Sequence, residues 1–115
     1  MKISVKRVYE PKEPADGRRI LVDRLWPRGI AKENASWDEW LKEIAPSSAL
    51  RQWMHHDPEK WPEFTTRYAR ELDGHPDLVR YLRDLAAKGP LTLLYAARDT
   101  ERNNAVALQE YLLAK

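Results

Sequence analysis

The segment Leu91-Thr92-Leu93-Leu94-Tyr95 constrains the fold more than any other part of this 115-residue chain. It is almost continuously apolar, and Gly89-Pro90 introduces it. A short apolar run bounded in this way predicts a strand that is buried on both faces. Such strands are typical of the centre of a parallel sheet that other layers cover. The chain is therefore expected to build an α/β sheet around this segment.

The first part of the chain predicts two more strands. Apolar and polar residues alternate from Ile3 to Val8, and Arg19-Ile20-Leu21-Val22 forms a second apolar run. A loop of about nine residues, with two prolines and a glycine, separates them. This loop is short for a parallel crossover, which usually takes a dozen or more residues. The relative direction of the two strands therefore stays open.

Five helices are expected between and after the strands. The first begins at Ser36, which forms a capping box with Glu39 and precedes an apolar stripe that ends at Pro46. The others follow Ser47, run from Asp57-Pro58 to Gly74, run from Pro76 to Gly89, and begin at about Asn103. This order predicts an α/β fold: a small, mostly parallel sheet of three to four strands, covered by about five helices, in a layered single domain over residues 1–115.

Two strand endings carry the residues that most favour a functional site. Asp23 to Gly29 (DRLWPRG) follows the second strand, and Ala96 to Asp99 (AARD) follows the last one. Ligands of α/β sheets bind beyond the carboxyl ends of the strands, and both endings lie there if the strands are parallel. Arg24, Arg28 and Arg98 supply planar, permanently charged groups that bind carboxylate or phosphate bidentately. The sequence thus predicts a site for an anionic small molecule.

Asp23 and Asp99 are the candidate catalytic residues. Each carboxylate can orient a guanidinium group, accept a ligand hydroxyl, or act as a general base where burial raises its pKa. The structural alternative stays equally open: each pairs with an arginine and ties a strand end to a neighbouring helix. Whether the protein is an enzyme is not decided by these residues.

Further ligand-binding candidates follow from residue type and position. Ser47 with Arg51 can hold a phosphate at a helix start, although simple N-capping explains the serine as well. His56 can exchange protons near neutral pH, and Trp26 either stacks on a ligand or packs in the core. The full set of candidate ligand-binding residues is Arg24, Trp26, Arg28, Ser47, Arg51, His56, Tyr95, Arg98, Asn103 and Asn104.

Composition excludes several classes of chemistry. The chain has no cysteine, so disulfides, thiolate metal sites and cysteine nucleophiles are ruled out. The adjacent His55 and His56 point to different sides, and the third histidine, His75, is on another turn, so no metal site is predicted. The four glycines form no dinucleotide-binding or phosphate-binding loop, and no serine has the context of a nucleophile elbow. The cofactor is therefore unknown from the sequence.

The net charge of +2 is unevenly distributed. Residues 1–30 hold eight Lys and Arg against four Asp and Glu, whereas residues 31–115 hold twelve against fourteen. A basic N-terminal third favours an anionic partner, and it leaves a nucleic-acid-associated or adaptor role as the alternative to a small-molecule site. The chain lacks a signal sequence and a long apolar run, so we expect a cytoplasmic protein without membrane association. The oligomeric state stays open.

Several motifs together resemble a known family. KRVY near the start, DGRRILVDRLWPRG, APSSALRQW and LTLLYAARD are similar to the YeaO-like branch of the domain of unknown function 488 family. The resemblance covers nearly the whole chain and implies an α/β fold in a small bacterial or archaeal protein, without an assigned activity. The resemblance to the wider family implies that its longer members carry cysteine and histidine in the region that corresponds to Tyr95 to Asn104. This chain has neither residue there, so their cysteine chemistry is not implied for it.

Overall fold

The computed structural model describes residues 1–114 and contains one sheet of four parallel strands. The strands are β1 (Ile3–Arg7), β2 (Arg18–Leu21), β3 (Glu39–Trp40) and β4 (Leu91–Tyr95). Their spatial order is β1-β4-β2-β3, and every neighbouring pair is parallel. The first two strands therefore run in the same direction, with β4 between them.

The central position predicted for the last strand is confirmed. All five residues of β4 are buried, and β1 and β2 pair with it on either side. The hydroxyl of Thr92 donates a hydrogen bond from Oγ1 to the backbone oxygen of Asp16 at 2.7 Å. The central strand is thus apolar apart from the hydroxyls of Thr92 and of Tyr95 at its end.

Four α-helices cover one face of the sheet. They are α1 (Ser48–Met54), α2 (Trp61–Asp73), α3 (Pro76–Lys88) and α4 (Asn104–Leu113). Buried apolar side chains of all four join one core with strand residues such as Ile20 and Leu93. Ser47 and Asn103 cap α1 and α4 as expected, because their side-chain oxygens accept backbone amide hydrogen bonds. Within residues 1–114, no helix has the length and apolar character needed to span a membrane.

The helix predicted from Ser36 to Pro46 does not form, so the structure has four α-helices rather than five. The segment pairs instead with the edge of β2. The amide of Asp38 donates to the carbonyl of Arg19 at 2.8 Å, and the amide of Arg19 donates to the carboxylate of Asp38 at 2.8 Å. These contacts with a distant strand satisfy backbone groups that a helix would otherwise pair internally. The local helical pattern was therefore overridden by tertiary hydrogen bonds.

Loops cover the opposite face of the sheet. Val8, Leu21 and Leu94 form a second, small core there, against which Trp37 and Trp40 pack. The ten residues 8–17 connect β1 to β2 on this side. Ten extended residues span roughly 33 Å, whereas a five-residue strand is about 17 Å long. The connection therefore suffices for a parallel crossover without a helix.

A cluster of charged residues lies on the same face. The fully buried Arg19 forms an ion pair with Asp16 and donates from Nε to the backbone oxygen of Ser36 at 2.9 Å. Lys6 Nζ reaches Asp16 at 3.1 Å and Glu13 at 2.9 Å. In the part of the chain that the structure describes, no buried side-chain nitrogen or oxygen lacks a hydrogen-bond partner. This cluster fastens the β1–β2 connection to the sheet.

Candidate functional site

Two adjoining cavities open at the carboxyl ends of β1, β2 and β4. We call them the Asp23 cavity, with a volume of about 590 Å³, and the Asp99 cavity, with a volume of about 980 Å³. They share seven lining residues, among them Tyr9, Arg28 and His56. The two cavities therefore form one continuous depression, the strand-end groove.

The groove collects most of the residues that the sequence singled out. The Asp23 cavity is lined by Asp23, Arg24, Trp26, Arg28, Arg51, His56, Asn103 and Asn104. Arg98 and Asp99 line the Asp99 cavity, together with Arg28 and His56. The endings of β2 and β4, which are far apart in sequence, thus meet at one groove.

Ser47 and Tyr95 line neither cavity. The amide and the hydroxyl of Ser47 both donate to the Glu71 carboxylate, at 2.8 Å and 2.6 Å. Tyr95 is buried in the core beneath the groove, and this burial is the main reason why its pKa is raised. Ser47 therefore ties α1 to α2, and Tyr95 supports the groove from below.

The carboxylate of Asp23 lies where β2, β4 and α4 meet. Its Oδ1 accepts a hydrogen bond from Asn104 Nδ2 at 3.0 Å, and its Oδ2 accepts one from the amide of Ala96 at 2.9 Å. Burial raises the pKa of Asp23, and these two hydrogen bonds and the charge of Arg51 oppose the rise only in part. A carboxylate has about four lone-pair positions. Asp23 therefore keeps capacity to accept hydrogen bonds from a ligand.

Asp99 has different surroundings. Its Oδ1 accepts the amides of Glu101 and Arg102 at 2.9 Å and 3.0 Å, and its Oδ2 accepts from Arg102 Nε at 3.1 Å. The hydrogen bonds from the backbone of Arg102 and of Glu101 lower the pKa of Asp99. This carboxylate shapes the loop that leads into α4.

Six arginines line the groove, against only two carboxylates, those of Asp23 and Asp99. The arginines are Arg7, Arg24, Arg28, Arg51, Arg98 and Arg102. Some are engaged: Arg24 donates from Nη2 to the carbonyl of Ala45 at 3.1 Å, and Arg102 pairs with Asp99. The exposed side chains of Arg28, Arg51 and Arg98 make no hydrogen bond or ion pair within residues 1–114. The groove is therefore strongly positive and has unused donors.

Arg7 and Tyr9 also line the groove, although neither was predicted as a site residue. Arg7 donates from Nε and Nη2 to the carbonyls of Ala97 and Ala96, both at 2.9 Å, and its guanidinium lies 4.8 Å from the centre of the Tyr9 ring. The Tyr9 hydroxyl donates to the backbone oxygen of Arg28 at 2.7 Å. The sequence feature that could have indicated these two residues is the KRVY motif at the end of β1. This motif is a third strand ending, and it lies at the same edge of the sheet as the other two only because β1 is parallel to β2 and β4.

An aromatic wall lines part of the Asp23 cavity. Trp61 and Phe64 stack with their ring centres 5.5 Å apart, and Met54 lies beside them on the lining. Trp26 donates from Nε1 to the carbonyl of Ile30 at 2.6 Å and packs edge-on against Trp37, 4.9 Å away. Trp26 therefore both lines the cavity and anchors its own loop.

His55 and His56 form the turn that follows α1 at the rim of the groove. Both have positive φ angles, 40° and 58°, in the left-handed region that residues other than glycine rarely occupy. Within residues 1–114, no group of three or more His, Asp or Glu side chains is arranged to hold a metal ion. The histidines thus contribute donors and a constrained turn to the rim.

Comparisons with known proteins bear on the whole chain. The sequence profile described as "Inactive DUF488-N3 subclade" matches residues 2–115. The uncharacterized protein YeaO of Escherichia coli (strain K12) is 49% identical over 112 residues, which are 97% of either chain. Uncharacterized proteins of Mycobacterium bovis and Mycobacterium tuberculosis are each 42% identical over 111 residues, covering 96% of this chain and 93% of theirs. No solved structure matches the chain significantly. The chain therefore belongs to the YeaO-like branch of the domain of unknown function 488 family, within its inactive DUF488-N3 subclade.

Proposed function

We propose that the protein binds a small anionic molecule, bearing phosphate or carboxylate groups, in the strand-end groove. The observation that carries this proposal is the charge of the lining, six arginines against two carboxylates. Guanidinium groups bind planar and tetrahedral oxyanions through paired hydrogen bonds. Arg28 is central to the proposal because it lines both cavities and its guanidinium has no partner within residues 1–114.

The position of the groove supports the same function. Ligands of parallel α/β sheets collect beyond the carboxyl ends of the strands, where the next helix begins. Asn103 and Asn104, at the start of α4, line the Asp23 cavity. The positive end of the helix dipole adds to the charge of the arginines.

We infer binding rather than turnover. The family is described as an inactive subclade, and the chain has no cysteine to act as a nucleophile. In this proposal Asp23 accepts a hydrogen bond from the ligand, and Asp99 keeps Arg102 and its loop in place. We place this activity in the cytoplasm, where phosphate esters and carboxylate metabolites are abundant.

The alternative, a nucleic-acid-associated protein that uses the basic N-terminal third, has less support. Several of its basic residues have partners within the fold: Lys6 and Arg19 contact Asp16, and Arg18 pairs with Glu39 at 3.5 Å. A nucleic-acid footprint needs Lys and Arg clustered along one accessible face. The N-terminal basic residues are instead divided: Lys6 and Arg19 lie in the charged cluster on the loop-covered face, and Arg7, Arg24 and Arg28 line the groove.

Thermal stabilisation by inorganic phosphate, pyrophosphate and citrate tests the proposal. At about 100 times Kd, selective binding to the folded state adds about 2.7 kcal/mol, which raises the Tm of a domain of this size by roughly 10 °C. We expect Arg28→Ala to abolish this rise while leaving the Tm of the free protein unchanged. The hydrogen bond from Tyr9 survives this substitution because it goes to the backbone of Arg28.

Arg80→Ala is the matched control, since Arg80 is exposed on α3 and lines neither cavity. It should keep the full ligand-induced rise. The proposal is wrong if none of the three anions raises Tm, or if both variants respond alike. Salt-sensitive binding of oligonucleotides without any response to small anions would favour the nucleic-acid alternative.

A further inference from the structure

The two cavities of the groove differ in chemistry. The Asp99 cavity is lined by four arginines, Arg7, Arg28, Arg98 and Arg102, and Tyr9 is its one aromatic residue besides His56. The Asp23 cavity adds an apolar and aromatic wall to its arginines, formed by Leu25, Trp26, Pro27, Trp61 and Phe64. Small-molecule sites are typically lined by such apolar walls with a few polar groups, and its volume of about 590 Å³ lies in the usual range for a ligand of drug size. A bare oxyanion needs no wall of this kind.

The carboxylate of Asp23 favours a ligand that has hydrogen-bond donors. Each of its two carboxylate oxygens already accepts one hydrogen bond, from Asn104 or from Ala96, and each retains a further lone pair. Burial raises the pKa of Asp23, so its ionised form is costly unless more donors reach it. A ligand with only oxyanion groups would repel this carboxylate. A ligand with N–H groups at the same end would pair with it.

We propose that the ligand is a nucleotide whose base lies in the Asp23 cavity, with base N–H groups donating to Asp23, and whose phosphate lies among the arginines of the Asp99 cavity. This inference rests on the proposed function and names the ligand class of the same groove. A nucleobase combines a flat apolar ring with N–H donors at its edge, which matches an aromatic wall beside a carboxylate. Arginine side chains such as Arg24 and Arg51 also stack on such rings.

The test compares GMP, AMP, ribose 5-phosphate and inorganic phosphate by titration calorimetry on the native protein. Stacking of a base on aromatic side chains corresponds to an affinity gain of about tenfold or more. We therefore expect at least one nucleotide to bind about tenfold more tightly than ribose 5-phosphate. Nucleotides should also quench the emission of the tryptophans at the cavity, whereas ribose 5-phosphate should not.

Asp23→Asn separates the role of the carboxylate from that of the phosphate site. We expect the variant to bind nucleotides roughly threefold to tenfold more weakly than the native protein, because the contact between the base and the carboxylate is lost while stacking remains. Its affinity for ribose 5-phosphate should stay that of the native protein. Asp77→Asn is the matched control, because Asp77 is exposed on α3 and lines neither cavity, so the advantage of nucleotides should persist. If Asp23→Asn does not fold, the comparison of the four ligands on the native protein still decides the question.

The outcomes distinguish the two proposals. Binding of phosphate and ribose 5-phosphate with no gain and no quenching from nucleotides would overturn the nucleotide assignment and leave the anion site intact. Failure of all four ligands, together with pyrophosphate and citrate, would overturn both. A nucleotide advantage that Asp23→Asn leaves unchanged would also contradict the assigned contact between base and carboxylate.

Discussion

At the scale of single residues, Asp16 and Asp23 show that the surroundings of a carboxylate, rather than its residue type, determine its role. For Asp16, desolvation favours the neutral form, but hydrogen bonds from the amide of Glu13 and from Lys6 and Arg19 outweigh it, so the pKa of Asp16 is lowered. For Asp23, desolvation outweighs its hydrogen bonds, so its pKa is raised. Asp16 is thus a stabilising ion-pair partner, and Asp23 is a half-buried acceptor at the groove.

Asp16 should make stability dependent on pH on the acid side. Because its pKa is lower in the folded than in the unfolded protein, its contribution is present above the ordinary carboxyl pKa and is lost as pH falls through the folded value. Replacing Asp16 with Asn leaves Arg19 buried without its charged partner, which should cost about 3 kcal/mol at neutral pH. Urea unfolding of both proteins from pH 7 down to pH 2 measures this.

The free energies of unfolding of native protein and Asp16→Asn should converge as the pH falls. Asp77→Asn, at an exposed position in the first turn of α3, is the control and should follow the native profile. Parallel profiles for the native protein and Asp16→Asn would show that the ion pair with Arg19 does not couple folding to protons.

At the scale of secondary structure, local patterns were reliable where caps and apolar stripes agreed with long-range contacts. The stripes of α2, α3 and α4 all face the core, and Pro76 begins α3 as expected. Ser36 to Pro46 carried an equally regular pattern, yet it pairs with β2. A capping box indicates only the conformation of its own helical turn. The hydrogen bonds that the unpaired edge of β2 offers cannot be predicted from a local sequence pattern.

The end of α1 gives a prediction at this scale. His55 caps the helix in the left-handed conformation, with φ 40° and ψ 46°, where glycine has no steric penalty. We expect His55→Gly to increase the free energy of unfolding by about 0.5 to 1 kcal/mol, because the strain at the turn is relieved. Urea denaturation measures the change.

His75→Gly is the control because His75 precedes α3 with φ −126°, a conformation that favours residues with a side chain. It should bring no gain in stability. A loss of stability in His55→Gly would show that contacts of the imidazole at the groove exceed the strain of its backbone.

At the scale of the whole molecule, one topological feature creates the groove. All four strands are parallel, so the endings of β1, β2 and β4 lie at one edge of the sheet. The connection from β1 to β2 contains no α-helix and crosses the loop-covered face, which leaves all four helices on the other face. The fold thus brings Arg7, Asp23 and Arg98 to one surface from three separate parts of the chain.

A substitution of Gly17 tests how closely the β1–β2 connection must approach the sheet. It has φ 64°, and a Cβ atom there would lie 2.3 Å from the backbone oxygen of Pro90, just before β4. Gly29 also has a positive φ, 83°, but a Cβ there would meet no atom within 4 Å. We expect Gly17→Ala to lower the free energy of unfolding by about 3 kcal/mol or more, and Gly29→Ala by about 1 kcal/mol.

Thermal and urea unfolding of the two variants compare them directly. If Gly17→Ala lowers the free energy of unfolding no more than Gly29→Ala does, the β1–β2 connection can move away from Pro90 without loss of stability. In that case the close approach would not be needed for the parallel arrangement of β1 and β2.

Much of the fold and part of the groove could be predicted because their signals are local. The apolar run of β4 indicated a central strand, and the charged endings after β2 and β4 pointed to the edge at which the groove lies. Arg7 was not predicted, since its selection required the direction of β1, which a loop of intermediate length left open. The different pKa shifts of Asp23 and Asp99 could not be read from the sequence either, because they depend on neighbours that other segments supply.

By itself, the sequence determined the α/β class, three of the strands, the four α-helices with caps such as Ser47 and Asn103, and the charged strand endings. Periodicity, capping and turn chemistry act over a few residues, so they can be read along the chain. Only the tertiary structure decided that Ser36 to Pro46 contains a strand, that β1 and β2 run parallel around β4, and that Arg7 joins Arg28 and Arg98 in one groove. These features depend on hydrogen bonds and packing between distant segments, whose relative free energies a local pattern does not contain.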